Sequence, residues 1–246
     1  MSDYDRLVGI KWNQNNSTFR VLNNKHLILN SKFFGLLSFE LALLLLIIIG
    51  DYLIFDSDVL ITRLSSTFGL SQRLFKALMD NSSHLLVGVL SWCIISYPKL
   101  KFYETLAVGF FSSIIDIDHF ISAKSFQLLD AISLANRPFL HNSLTLSLIN
   151  LGLFFYIIIF LPSNIDWALI FFISWFSHHI RDANRRGMWF GSVYTSSPIS
   201  DRSYLLIIML LPLVFRYVRS CDLINGYFLK FGNTNEIAEK FDSHIV

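Results

Sequence analysis

Charge is what this chain of 246 residues has least of. Asp, Glu, Lys and Arg together make up 15% of it, against about 25% in an average globular domain. A deficit of that size over a whole chain excludes an ordinary water-facing surface. With 53% hydrophobic and 15% aromatic residues and a mean hydropathy of +0.51, it also excludes intrinsic disorder. Cysteine is nearly absent: Cys93 in an apolar segment and Cys221 near the end are too few and too far apart for a disulfide scaffold. The formal net charge is +2, and the Lys and Arg residues are scattered rather than gathered into a basic patch, which argues against nucleic acid as a partner. Residues 1–32 are polar and contain no short apolar run with a small-residue cleavage site, so no removable signal peptide is expected.

What the chain does have is long apolar runs. Phe33 to Phe55 is long enough to cross about 30 Å of hydrocarbon as a helix. Similar runs lie at Ser83 to Tyr97, Glu104 to Ala123, Ser143 to Leu161, Asp166 to Ile180 and Ser203 to Val218. The expected fold class is therefore an all-α integral membrane bundle of about six transmembrane helices. A polar tail (1–32) precedes the membrane domain (33–219), and a loosely ordered tail (220–246) follows it. Tyr97-Pro98-Lys99 and Leu161-Pro162-Ser163-Asn164 are short breakers that make antiparallel hairpins of spans two with three and four with five. Ahead of the short second span, Gly69 to Asp80 has helical spacing of Leu, Phe and Met, and is expected to lie along the interface.

Five histidines between His84 and His179 sit in or at the ends of apolar segments, where an ionisable group is costly. They come with carboxylates: Asp80 with His84; Asp116, Asp118 and His119; Arg137 with His141; and His178, His179 and Asp182. On helices the pairs Asp80/His84, Asp116/His119 and His178/Asp182 each share a face. The hairpins set their depth. His84 is fourteen residues back from Pro98 and Asp116 fifteen residues on from Lys101, which puts both about 21–23 Å from that turn. His178 is about as far from Pro162, and His141 somewhat farther. All four groupings thus fall at one membrane face. Imidazoles and carboxylates without cysteine suit Zn, Mn or Fe, with enough ligands for two metals or for one with orienting carboxylates behind it.

The strings DNSSH (Asp80 to His84), IIDIDHF (Ile114 to Phe120), RPFLH (Arg137 to His141) and FISWFSHHIRDANRRGMW (Phe172 to Trp189) closely resemble the transmembrane protein 267 family, over about Asp51 to Pro198. More distantly, the order His, Asp-x-Asp-His, Arg then His, and Ser-His-x-x-x-Asp is similar to bacterial membrane-bound proteins classed as predicted metal-dependent hydrolases. That resemblance implies metal or catalytic roles for His84, Asp116, Asp118, His119, His141, His178 and Asp182, with Arg137 as an anion clamp or structural pair. It departs at Pro138, where the bacterial members usually carry a histidine beside the arginine.

Together these residues lead to a metal-dependent hydrolase of a membrane-resident substrate, such as a phosphoester. Asp116, Asp118, His119, His178 and Asp182 would hold a divalent metal, Zn or Mn, and His84 or His141 would complete the shell or act as general base. Membrane lipid is the expected partner. A non-catalytic membrane scaffold, with a structural metal or a hydrogen-bond network, fits the same residues. An ion pathway fits less well, because only Glu40 lies deep and off the shared level.

Overall fold

A computed structural model of the chain describes residues 14–51, 57–161 and 164–220, with side chains from residue 31 onward. Pro162 and Ser163 of the second breaker, Cys221 and the expected tail after Asn225 lie outside the described residues. The chain divides into two units, Met1–Ser38 and Phe39–Val246. The described part of the first is helical. Helix α1 (Gln14–Asp51) begins inside the polar N-terminal stretch and continues into the second unit, which carries every other element described here.

Among the described residues of the second unit the regular elements are helices, joined by loops, with isolated bridges at Trp189. After α1 come α2 (Asp58–Thr67), α3 (Gln72–Ser96), α4 (Phe102–Ile114), α5 (Ile117–Ala123) and α6 (Leu128–Ile132). A 3-10 turn (Phe139–His141) then leads to α7 (Ser143–Phe160), α8 (Ile165–Arg186) and α9 (Asp201–Ser220). Side-chain oxygens start several of these: Ser57, Ser71 and Asn142 accept from the backbone N–H groups of Leu60, Leu74 and Leu144, satisfying donors that have no partner within the helix.

Among the described residues five helical stretches are long and apolar enough to cross a membrane: Ser31–Asp51, Gln72–Ser96, Phe102–Ala123, Ser143–Phe160 and Asp201–Ser220. The sixth expected span belongs to α8 and does not meet that composition. Its 22 residues reach about 33 Å, so length is not the obstacle. Instead α8 packs against α3, α4, α7 and α9 and buries Ile170, Ile173, His178, His179 and Arg181. A helix enclosed by other helices need not be apolar all round, because protein rather than lipid meets its polar side.

The structure adds detail to two spans. Gln72 to Asp80, expected to lie along the interface and feed the second span, is continuous with it as the first turns of α3. The chain turns at Gly69, whose φ of +64° suits glycine, and no breaker separates Asp80 from His84. The third span, in turn, is not one helix: α4 ends at Ile114 and α5 begins at Ile117. The break at Ile115 and Asp116 takes Asp116 out of regular helix just where the acidic-histidine run begins.

The core lies along α8. Trp92, Val108, Ile170 and Ile173 form a buried cluster, and Ser174 Oγ donates to the Val108 carbonyl at 3.1 Å, holding α8 against α4. Helices α3 and α4 touch at Gly88, where an added Cβ would fall 2.1 Å from Ser112 Oγ. Gly88 is one turn from His84, so this contact brings Ser112 to the level of the histidines. At the opposite end Arg219 pairs with Asp166 through bonds of 2.8 and 2.7 Å, tying α9 to the start of α8.

This arrangement carries a topological prediction. Cysteines introduced at Ser66, Ser125 and Ser192 should label from one side of the membrane, and one at exposed Lys99 from the other. Labelling of all four from a common side would overturn the arrangement.

Candidate metal centre

The histidine-acid groupings meet at the C-terminal half of α8. His178 is fully buried, and its Nδ1 lies 2.8 Å from the Ser112 carbonyl of α4. A carbonyl only accepts, so Nδ1 carries the proton and the Nε2 lone pair faces inward. His141, from the turn before α7, has its Nδ1 3.3 Å from Asp118, which is itself buried and accepts from the backbone N–H of Leu140 at 2.6 Å. Here a carboxylate fixes the ring. His119 has the same device: its Nδ1 lies 3.1 Å from the Ala131 carbonyl of α6.

Four ligand-type atoms converge as a result. His141 Nε2 lies 3.4 Å from Asp116 Oδ1, 3.3 Å from Asp182 Oδ2 and 3.4 Å from His178 Nε2. His178 Nε2 lies 3.6 Å from Asp116 Oδ1 and 3.8 Å from Asp182 Oδ2. Ligands about 2.0–2.1 Å from a tetrahedral zinc stand about 3.3–3.4 Å apart. The set is therefore close to what one ion needs. His84, His178 and Asp182 form one triad able to hold a metal, and Asp116, His119 and His141 form another, the two adjoining through His141 and His178. Two inward nitrogens and two carboxylates are all acceptors, and they repel one another unless a cation or proton lies among them. Burial alone would push His141 down, but hydrogen bonds to Asp116, Asp118 and Asp182 outweigh it and hold its pKa up at about 11. In metal-free protein a proton on His141 serves as that cation.

A layer of ion pairs flanks the cluster. Arg181, 2% exposed, reaches Asp51 at 3.1 Å and also pairs with Asp80. Arg185 joins Asp80 at 3.0 Å and Asp182 at 2.9 Å. Arg181 also donates toward His84 Nε2 at 3.3 Å, while the buried His84 Nδ1 has no partner among the described residues. Asp51, Asp80 and Asp182 pair with these two guanidinium groups, and Asp116 and Asp118 add two carboxylates on the histidine side. With neutral imidazoles the assembly is formally three charges negative, which a divalent cation would largely offset.

All eight candidate residues from the sequence lie in or beside this cluster, in different positions. Asp116, His141, His178 and Asp182 converge, and His119 adjoins them. Asp118 stands behind His141. His84 stacks on His178 with ring centroids 3.9 Å apart and faces Arg181. Arg137 donates to the carbonyls of Arg186 and Gly187 at the end of α8, at 2.8 Å for Gly187, and so holds the turn before His141 against that helix end. Sequence reasoning missed the Arg181 and Arg185 layer, although Arg185 stands i+3 from Asp182 and Arg181 i+3 from His178 on one helix. It also missed the carbonyls of Ser112 and Ala131, which carry no side-chain signal. His179 is occupied on both nitrogens, by Ser143 Oγ and the Leu140 carbonyl, each at 3.0 Å.

A cavity of about 670 Å³ opens beside the cluster and is bordered by Asp80, Asp116, His119 and Asp182. The centre thus has access from outside the bundle.

The chain is 40% identical over 149 residues to transmembrane protein 267 of Bos taurus, covering 58% of this chain and 68% of that protein. It is 38% identical over 143 residues to transmembrane protein 267 of Danio rerio, covering 56% and 64%. The Xenopus laevis protein of that name is 37% identical over 144 residues, covering 56% and 66%. No protein-family model and no solved structure matches the chain.

Proposed function

Given that this chain belongs to the transmembrane protein 267 family and is a multi-pass membrane protein, we propose that it is a divalent-metal-dependent hydrolase of a membrane-resident substrate. The observation that carries this reading is the inward convergence of four acceptors, with the far nitrogen of each histidine already bonded to a carbonyl or carboxylate. That is the arrangement of metal-ligating histidines in general.

In this reading His141, His178, Asp116 and Asp182 would hold Zn or Mn, and His119, grouped with Asp116 and His141, lines the cavity. When bound, the metal supplies Lewis acidity toward an ester or phosphoester and acidifies water. Asp118 and the Ser112 carbonyl fix the tautomers of His141 and His178. Arg137 holds the ligand turn. His119, with Nδ1 engaged by Ala131, lines the cavity and leaves Nε2 to take up or return a proton. His84 belongs with the Arg181 ion pairs, away from the cavity. A non-catalytic scaffold draws its support from that same ion-pair layer, which ties α1, α3 and α8 together without any metal.

Elemental analysis of the purified protein in detergent tests the metal. One or two Zn or Mn per chain is the expected result, and metal-free protein that cannot be loaded would end the reading. Asp182→Asn keeps the size and a polar head but removes the charge. It should cut metal occupancy several-fold while the protein remains folded, and unchanged occupancy would remove Asp182 from the ligand set. Hydrolysis of a lipid ester panel by metal-loaded protein, absent after chelation, separates enzyme from scaffold.

A further inference from the structure

The 670 Å³ cavity beside the centre is cationic as well as apolar. Five cations, Arg73, Lys76, Arg137, Arg185 and Arg186, line it against three carboxylates, Asp80, Asp116 and Asp182, with Leu74, Leu78 and Leu128 on the apolar side. Lys76 is bonded to Asp58 and Arg185 to Asp80 and Asp182. Arg73 and Arg186 have no carboxylate partner among the described residues. Burial and the nearby Arg186 charge push the Arg137 guanidinium down from its ordinary value, by more than the Asp182 carboxylate raises it. Two guanidinium groups held within each other's field are relieved by an anion.

A second cavity, a groove of about 550 Å³, runs between α3 and α4, lined by Leu85, Val89, Leu106, Gly109 and Phe110. Leu85, Leu106 and Phe110 are exposed there, on helices apolar and long enough to span a membrane, so the groove faces lipid. The two cavities share Asn81, Asp116 and Phe120. The groove therefore ends where the cationic chamber begins, and the residue at the junction is a candidate metal ligand. From Asp116 down to Leu106 the chain covers about 15 Å, half the thickness of the hydrocarbon core.

We infer that the groove and the chamber form one binding site for an anionic phosphate amphiphile of the bilayer, acyl chain between α3 and α4 and phosphate among Arg73, Arg137 and Arg186. Charge complementarity selects the occupant: a zwitterionic headgroup would carry a choline or ethanolamine cation into a chamber whose cations outnumber its carboxylates five to three. The groove selects its source, because a water-soluble phosphate has nothing to place there. Lateral entry from the lipid then brings the phosphoester linkage past Asp116. The assignment of this amphiphile as substrate rests on the metal-centre reading, whereas its binding does not.

The test uses the full chain in detergent with excess chelator, and reads bound lipid by native mass spectrometry and affinity by competition with a fluorescent phosphatidic acid. One phosphatidic acid per chain is expected, with phosphatidylcholine, diacylglycerol and inorganic phosphate competing poorly. Arg73→Gln with Arg186→Gln, both exposed, should weaken binding about thirty-fold through loss of two cation contacts. Leu106→Trp, also exposed, fills the groove and should weaken the lipid about ten-fold. Each variant is scored only with a wild-type melting curve, and Leu85→Trp replaces Leu106→Trp if that variant melts early. Equal competition by phosphatidylcholine or by inorganic phosphate overturns the proposal. So does wild-type affinity in the charge variant or the groove variant. Because the chelator is present throughout, lipid binding without any loadable metal would defeat the metal reading and leave this site intact; metal without lipid selectivity would do the reverse.

Discussion

His178→Ala should strip the protein of its metal. The ring is fully buried, its Nδ1 is bonded to the Ser112 carbonyl, and its Nε2 lies within 3.8 Å of His141 Nε2, Asp116 Oδ1 and Asp182 Oδ2. Loss of an orienting partner behind a ligand costs about 10- to 100-fold in metal affinity. Loss of an inward-facing ligand itself should exceed that, and metal should fall below detection after one passage over a chelating resin. The same change opens a cavity beside His84 and leaves the Ser112 carbonyl without its donor, at a cost of about 2–3 kcal/mol even in metal-free protein. The two effects separate in one experiment. Wild type and variant are melted with and without chelator: chelation should lower the wild-type midpoint and leave the variant where it is. A variant that binds metal like the wild type removes His178 from the centre. A wild type indifferent to chelator, yet destabilised by the substitution, favours the scaffold.

The second large effect is expected at Arg181, which no metal reading requires. Its guanidinium, 2% exposed, bridges Asp51 at the end of α1 and Asp80 in α3, and donates toward His84. Arg181→Leu keeps bulk but leaves Asp51 facing a buried apolar group, while Asp80 retains Arg185 at 3.0 Å. Removing one partner of a buried ion pair typically costs about 3–5 kcal/mol, more than the pair contributes relative to an apolar replacement, because the remaining charge is stranded. Asp51 is about one quarter exposed, so the lower end applies, about 3 kcal/mol. For a chain of this size that is a fall in melting midpoint of about 6–12 °C. Asp51→Asn in the same background should restore part of it by removing the stranded charge. A melting midpoint within a degree of wild type would mean that water, not Arg181, satisfies Asp51.

Much of the site could be read along the chain because helical spacing is a local property. Asp80 with His84, and His178 with Asp182, lie one turn apart, and in the structure their nearest atoms stand 3.8 Å apart in each pair. Hairpin length is local as well, so counting back from Pro98 was enough to bring His84 and Asp116 to one level. The all-helical membrane fold followed from long apolar runs and scarce charge.

The division of labour within the site could not be read that way. Asp116 and Asp118 are two residues apart in one acidic run, yet one points among the histidines and the other lies behind His141 against the Leu140 N–H. What separates them is the break between α4 and α5 and the path of residues 137–142, neither of which has a sequence signature. The polarity of α8 is likewise settled by tertiary structure: read alone it is a span with too many polar residues, and enclosed by α3, α4, α7 and α9 it is the element that gathers the site. Composition determines that the chain belongs in a membrane, because transfer of side chains to lipid is a sum over residues. Which polar side chains are enclosed, and which face one another, depends on contacts between helices far apart in sequence, and only the packed bundle decides them.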